Sequence, residues 1–94
     1  MQFMVITQRY GDRFGDEDFA AVLPQEVETV RGLYADGTLR QIWLRGDTRG
    51  ACFLLEAGST EEAEAAVAAL PMAQKEMSEF QIIPLRPYGG FGPR

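Results

Sequence analysis

Apolar and polar positions along this chain follow two rhythms. Residues 2–8 (QFMVITQ) are dense in apolar and β-branched side chains, as in a strand. Two glycines and Asp12 within residues 10–15 then read as a loop. From Asp16 the period lengthens: Phe19, Leu23, Val27, Val30, Leu33 and Tyr34 recur every three or four residues, one face of a helix. Asp16 is the expected N-cap, Glu17 and Asp18 favour the first turn electrostatically, and Gly37 is the expected C-cap. A proline disfavours helical geometry in the residue before it but suits a first helical position. Pro24 therefore predicts a division into a short helix at 16–22 and a main helix at 24–35. Residues 39–45 (LRQIWLR) and 50–57 (GACFLLEA) return to strand character around the turn-like Gly46-Asp47-Thr48-Arg49, which predicts a hairpin. Ser59-Thr60-Glu61-Glu62 forms a capping box, with Ser59 as N-cap and Glu62 reaching back to it. The alanine-rich helix that follows carries Ala63, Ala66, Val67 and Leu70 on one face and stops before Pro71. Residues 72–78 fit either a helical turn or a loop, and residues 80–85 (FQIIPL) are the last strand, with Pro84 at its end or on an edge. Residues 86–94 (RPYGGFGPR) form an aromatic, glycine-rich tail.

The order β-α-β-β-α-β is the split βαβ, ferredoxin-like arrangement of an α+β domain: a four-stranded antiparallel sheet with both helices on one face. The other sheet face then needs a cover, and a second copy of the chain is the expected one, because large exposed apolar patches mark interfaces. The hairpin sorts its side chains between the faces. If Arg45 pairs with Gly50, Trp43 lies opposite Cys52 and Gln41 opposite Leu54. The apolar set Ile42, Leu44, Ala51 and Phe53 suits the helix side. The mixed set Gln41, Trp43, Arg45, Cys52, Leu54 and Glu56 suits a cavity or a dimer face.

Composition narrows the partners. Ninety-four residues make one domain, 1–94, with a core modest enough for a partner chain to help. A net charge of −5 repels phosphate backbones and argues against nucleic acid. Apolar runs fall far short of the roughly 20 residues a bilayer needs, and residues 1–12 lack the basic and apolar regions of a signal peptide. A lone cysteine, Cys52, cannot form an internal disulfide and fits a cytoplasmic protein. With no histidine, Ser-His-Asp and Cys-His machinery is excluded, and no zinc, haem-thiolate or iron–sulfur pattern is present. There is no phosphate-binding glycine motif, and Asp12, Asp16 and Asp18 lack calcium-loop spacing, so neither cofactor nor metal is expected.

The stretch Gly37-Thr38-Leu39-Arg40-Gln41-Ile42-Trp43-Leu44-Arg45-Gly46, the acidic close of the third strand at Glu56, residues 59–71 (STEEAEAAVAALP) and Ile82-Ile83-Pro84-Leu85 together resemble the muconolactone isomerase-like family, within the dimeric α+β barrel superfamily. The succession helix, Leu-Pro, short gap, strand, Pro-Leu is its most distinctive part, and the resemblance covers about two-thirds of the chain. It implies a homodimer or higher homo-oligomer, with a cavity between sheet and sheet or between sheet and helix. It also implies movement of a double bond in an unsaturated lactone by proton transfer, without metal or cofactor. Histidine positions of related barrels have no counterpart here.

On that reading Trp43 walls the pocket with Leu54, Gln41 or Arg45 binds the oxygen function of a small hydrophobic or lactone-type ligand, and Glu56 is the candidate base, with Asp47 a weaker one in the turn. Tyr10 is placed to line the cavity mouth, Tyr34 to join the core, and Tyr88 and Phe91 to cover a partner subunit. Each feature also has a plain structural use. Arg45 can be a solvated charge, Glu56 a structural carboxylate, and the mixed face a filled interface. Three functions stay open: a cofactor-independent isomerase, a non-catalytic dimeric small-molecule binder, and a cofactor-free monooxygenase.

Overall fold

The computed structural model describes residues 1–93; Arg94, the end of the glycine-rich tail, lies outside the described residues. The elements run β1 (Gln2–Arg9), α1 (Asp16–Ala35), β2 (Leu39–Leu44), β3 (Ala51–Glu56), α2 (Thr60–Ala68), α3 (Pro71–Gln74) and β4 (Ser78–Leu85), with a single 3₁₀ turn at Gly89–Phe91. The strands form one antiparallel sheet in the order β2-β3-β1-β4, the ferredoxin-like topology that the element order predicts.

Alternation along the strands builds the core. Phe3, Val5 and Thr7 of β1 and Phe53 and Leu55 of β3 turn toward the helices and are buried, while their neighbours face the other way. Leu39, Ala63, Val67 and Leu70 complete this cluster, and a second one gathers Phe19, Val22, Met72 and Met77 where α1 meets α3. Burying a side chain such as Phe3 or Leu55, both at 0% exposure, stabilises the fold by about 1.5–3 kcal/mol.

The hairpin register agrees with the sequence: Arg45 N donates to Gly50 O at 2.9 Å, Trp43 faces Cys52, and Gln41 faces Leu54. A bulge at Arg40 interrupts it, so the pairing passes from Leu39–Leu55 directly to Gln41–Leu54. Several boundaries differ from expectation. The first helix is continuous through Pro24, because the proline falls on an exposed face where the unpaired carbonyl four residues back meets water. Its N-cap is Gly15, whose amide donates to the Asp18 carboxylate at 2.8 Å, and not Asp16. Gly37 ends it as expected, at φ 86° and with its amide on Tyr34 O. At α2, Ser59 Oγ accepts from Glu62 N at 3.2 Å, but the Glu62 carboxylate reaches the amide of Gly58, one residue earlier than a capping box requires. Residues 72–78 divide: α3 occupies the first half, and β4 begins at Ser78. Tyr34, expected in the core, is 66% exposed.

Candidate functional site

Between α1 and the sheet the packing is incomplete. A cavity of about 230 Å³ lies there, walled by Leu23, Val27 and Val30 of α1, Ile42 and Leu44 of β2, Ala51 and Phe53 of β3, and Leu70, Met72 and Phe80. Its walls are mostly apolar, as in small-molecule sites. Five polar side chains break the pattern: Thr7, Arg9, Glu26, Arg31 and Ser78.

The local sequence places each of them. The face of α1 that turns inward runs Phe19, Val22, Glu26, Val30 and Leu33, steps of three and four residues. Glu26 is thus a carboxylate set in an apolar stripe. One of its oxygens accepts the Met72 amide at 3.0 Å. Burial pushes its pKa above the ordinary value, opposed in part by that hydrogen bond and by the nearby positive charge of Arg9. Thr7 and Arg9 continue the inward face of β1, and Ser78 lies opposite Arg9 on β4. The guanidinium of Arg9 sits 4.9 Å over the ring of Phe19 and makes no ion pair among the described residues. Its neighbour Arg49, also over Phe19, pairs with Asp16, whose carboxyl is held below its usual range by that contact.

The floor of the cavity is tied to the hairpin. Thr7 Oγ1 accepts from Ala51 N at 2.9 Å, and Thr7 O accepts from Arg45 Nη1 at 3.2 Å. Gly50 runs so close that a Cβ there would stand 2.1 Å from Thr7 O.

The residues singled out from the sequence lie elsewhere. Gln41, Trp43, Leu54 and Glu56 are on the sheet face opposite the helices, and none of them lines the cavity. Glu56 accepts the N-terminal ammonium at 3.3 Å. Arg45 grips both oxygens of Asp47, at 3.0 and 2.8 Å, in a bidentate pair that holds the Asp47 carboxyl below its usual range. Tyr10 lies under the Arg13 guanidinium in a shallow groove beside α2 and α3, outside the cavity. Cys52 is half-buried on the open face, 3.4 Å from the sulfur of Met4. Among the described residues no three histidine, cysteine or acidic side chains come together as a metal ion requires, and no helix is long and apolar enough to cross a membrane.

No family model matches the chain, and no curated protein matches it by sequence. Solved structures do match by fold. Muconolactone isomerase superposes with a TM-score of 0.79 at 16% identity, covering 96% of this chain and 93% of its own. The 5-chloro-2-hydroxyhydroquinone dehydrochlorinase of Burkholderia phenoliruptrix, solved with 2,5-dihydroxybenzoquinone, superposes with a TM-score of 0.73 at 14% identity, covering 92% of this chain and 94% of its own.

Proposed function

We propose, from a fold shared with muconolactone isomerase and from the cavity, that the protein is a cofactor-independent proton-transfer catalyst acting on an unsaturated lactone or a related small cyclic compound. The observation that carries the proposal is Glu26. It is a carboxylate anchored through one oxygen in a mostly apolar cavity, where burial raises its pKa above the ordinary value, as suits a carboxyl that both takes and returns a proton. In the reaction Glu26 removes the proton on the carbon next to the lactone carbonyl, the electron pair delocalises as a dienolate, and the same carboxyl returns the proton at the far end of the conjugated system. The double bond moves and nothing else changes. Arg9, unpaired beside Glu26, stabilises the negative charge that passes to the substrate.

The test is conversion of α-angelica lactone to its conjugated β isomer, followed by ultraviolet absorbance. Glu26→Gln is expected to lower turnover by about 10²–10⁴-fold, the usual worth of a general base; unchanged turnover in that variant would refute the assignment. A second reading, a non-catalytic binding module, draws on the fact that Glu26 is the one carboxyl lining the cavity. It predicts saturable lactone binding with no turnover even in the wild type. Oxygen uptake with an electron-rich phenol would instead indicate a monooxygenase.

The open sheet face is where a second copy of the chain is proposed to pack. Trp43 is 46% exposed there, and Leu85 and the half-buried Met4, Ile6, Leu54 and Ile83 share the face. In this arrangement Gln41, Trp43, Leu54 and Glu56 serve the dimer, and Arg45 braces the cavity floor.

A further inference from the structure

We infer that Thr7 donates the hydrogen bond that holds the substrate's carbonyl oxygen and steadies it when the enolate forms. The inference deepens the proton-transfer reading and rests on it for the enolate, but not for the carbonyl contact.

Two hydroxyl groups line the cavity, and the structure distinguishes them. Ser78 directs its hydroxyl at the sulfur of Met72, 3.9 Å away. Thr7 is 7% exposed, and its oxygen accepts the Ala51 amide at 2.9 Å, so one of its lone pairs is occupied. Its own O–H proton has no acceptor among the described residues. A hydroxyl that accepts on one side is left to donate on another, and a buried donor without an acceptor carries a cost that a ligand carbonyl in the cavity would relieve.

The group is also rigid. The Thr7 carbonyl is held by Arg45 at 3.2 Å, and Arg45 is itself clamped by Asp47. The pairing of β1 with β4 fixes the backbone from the other side, opposite Phe80. A β-branched side chain has few χ1 choices, and here the Ala51 amide favours one of them. A donor fixed before the substrate arrives needs no reorganisation as charge develops, which is the condition for effective oxyanion stabilisation. Glu26 on α1 and Thr7 on β1 line the same cavity, one from the helix and the other from the sheet.

The experiment compares two unreactive ligands, γ-valerolactone and methyltetrahydrofuran, which differ in the carbonyl. Binding to the wild type, Thr7→Val, Thr7→Ser and Glu26→Gln is read from amide chemical shifts of cavity residues. The wild type is expected to prefer the lactone by about 3- to 10-fold, the worth of one neutral hydrogen bond. Thr7→Ser and Glu26→Gln should keep the preference, and Thr7→Val should lose it. On α-angelica lactone, Thr7→Val should lose about 10²–10³-fold in kcat, as when one oxyanion donor is removed, and Thr7→Ser should recover most of it. Equal affinity of the wild type for the two ligands overturns the inference, as does a preference that survives in a folded Thr7→Val. Should Thr7→Val fail to fold, Thr7→Ala, which also removes the hydroxyl, decides in the same way: the preference for the lactone is lost, or its survival overturns the inference. A preference that depends on Thr7 in a protein without turnover would sink the catalytic reading and leave this contact standing.

Discussion

Gly50 offers the sharpest test of how the hairpin supports the cavity. A Cβ at this position would lie 2.1 Å from Thr7 O and 2.9 Å from Thr7 C, both backbone atoms that cannot swing aside. To reach ordinary contact the hairpin must retreat from β1 by about 1 Å, and hydrogen bonds near 2.9 Å do not survive such a shift. Three are at stake: Arg9 N to Arg49 O at 2.9 Å, Ala51 N to Thr7 Oγ1 at 2.9 Å, and Arg45 Nη1 to Thr7 O at 3.2 Å. At about 1 kcal/mol net for each bond, Gly50→Ala should cost about 3 kcal/mol, in line with the overpacking penalty of roughly 1–3 kcal/mol. For a domain of this size that lowers the Tm by about 12–24 °C. The assay is urea and thermal denaturation followed by circular dichroism. Gly46→Ala is the control, because nothing lies within 4 Å of a Cβ built there and it is in the same turn. It should fall within about 0.5 kcal/mol of the wild type. A Gly50→Ala protein as stable as Gly46→Ala would refute the close-approach argument, and with it the claim that the hairpin fixes Thr7.

Four further outcomes are expected. Leu55→Ala, at a fully buried core position, should cost about 2–5 kcal/mol by chemical denaturation. Because folding raises the Glu26 pKa, its favourable contribution is complete below the ordinary carboxyl value and is lost as pH rises through the raised one. The stability of the wild type relative to Glu26→Gln should therefore fall as pH rises from the ordinary carboxyl value through the raised one, measured as paired urea midpoints. Trp43→Glu should turn the proposed dimer into monomer by light scattering while leaving the monomer's circular dichroism unchanged, and truncation after Arg86 should weaken association through loss of Tyr88 and Phe91, which are 74% and 89% exposed; an unchanged dimer in the truncated chain would detach the tail from that role.

The strand order and the hairpin register were legible because period-two alternation is strong in β1 and β3, and because Gly46-Asp47-Thr48-Arg49 fixes the pairing of Arg45 with Gly50. The Arg40 bulge was not, since a bulge adds a residue without changing the local composition. Helix breaks were over-read at Pro24: a proline costs a helix its hydrogen bond, but a 20-residue helix packed on a sheet tolerates one on its wet face.

The candidate site was hidden by one polar residue. Read for apolar positions alone, α1 shows Leu23 and Val27, and the stripe passes one position to the side of Val22 and Glu26. In the structure Leu23 and Val27 are 43% and 38% exposed and form only the cavity wall, while Val22 is buried and Glu26 points between them and the sheet. A carboxylate that continues an i, i+3, i+7 apolar series breaks the hydrophobic pattern at the very place where a functional group interrupts the core. The two faces of the sheet were easier to tell apart: alternation separates Trp43 from Leu44, and the purely apolar set Ile42, Leu44, Ala51 and Phe53 suits the helix side, where the structure places it. The mixed face read as a cavity or a dimer face because it held Trp43, Arg45 and Glu56. The cavity instead opens on the apolar face, where Glu26, Thr7 and Arg9 count for more because so little around them is polar.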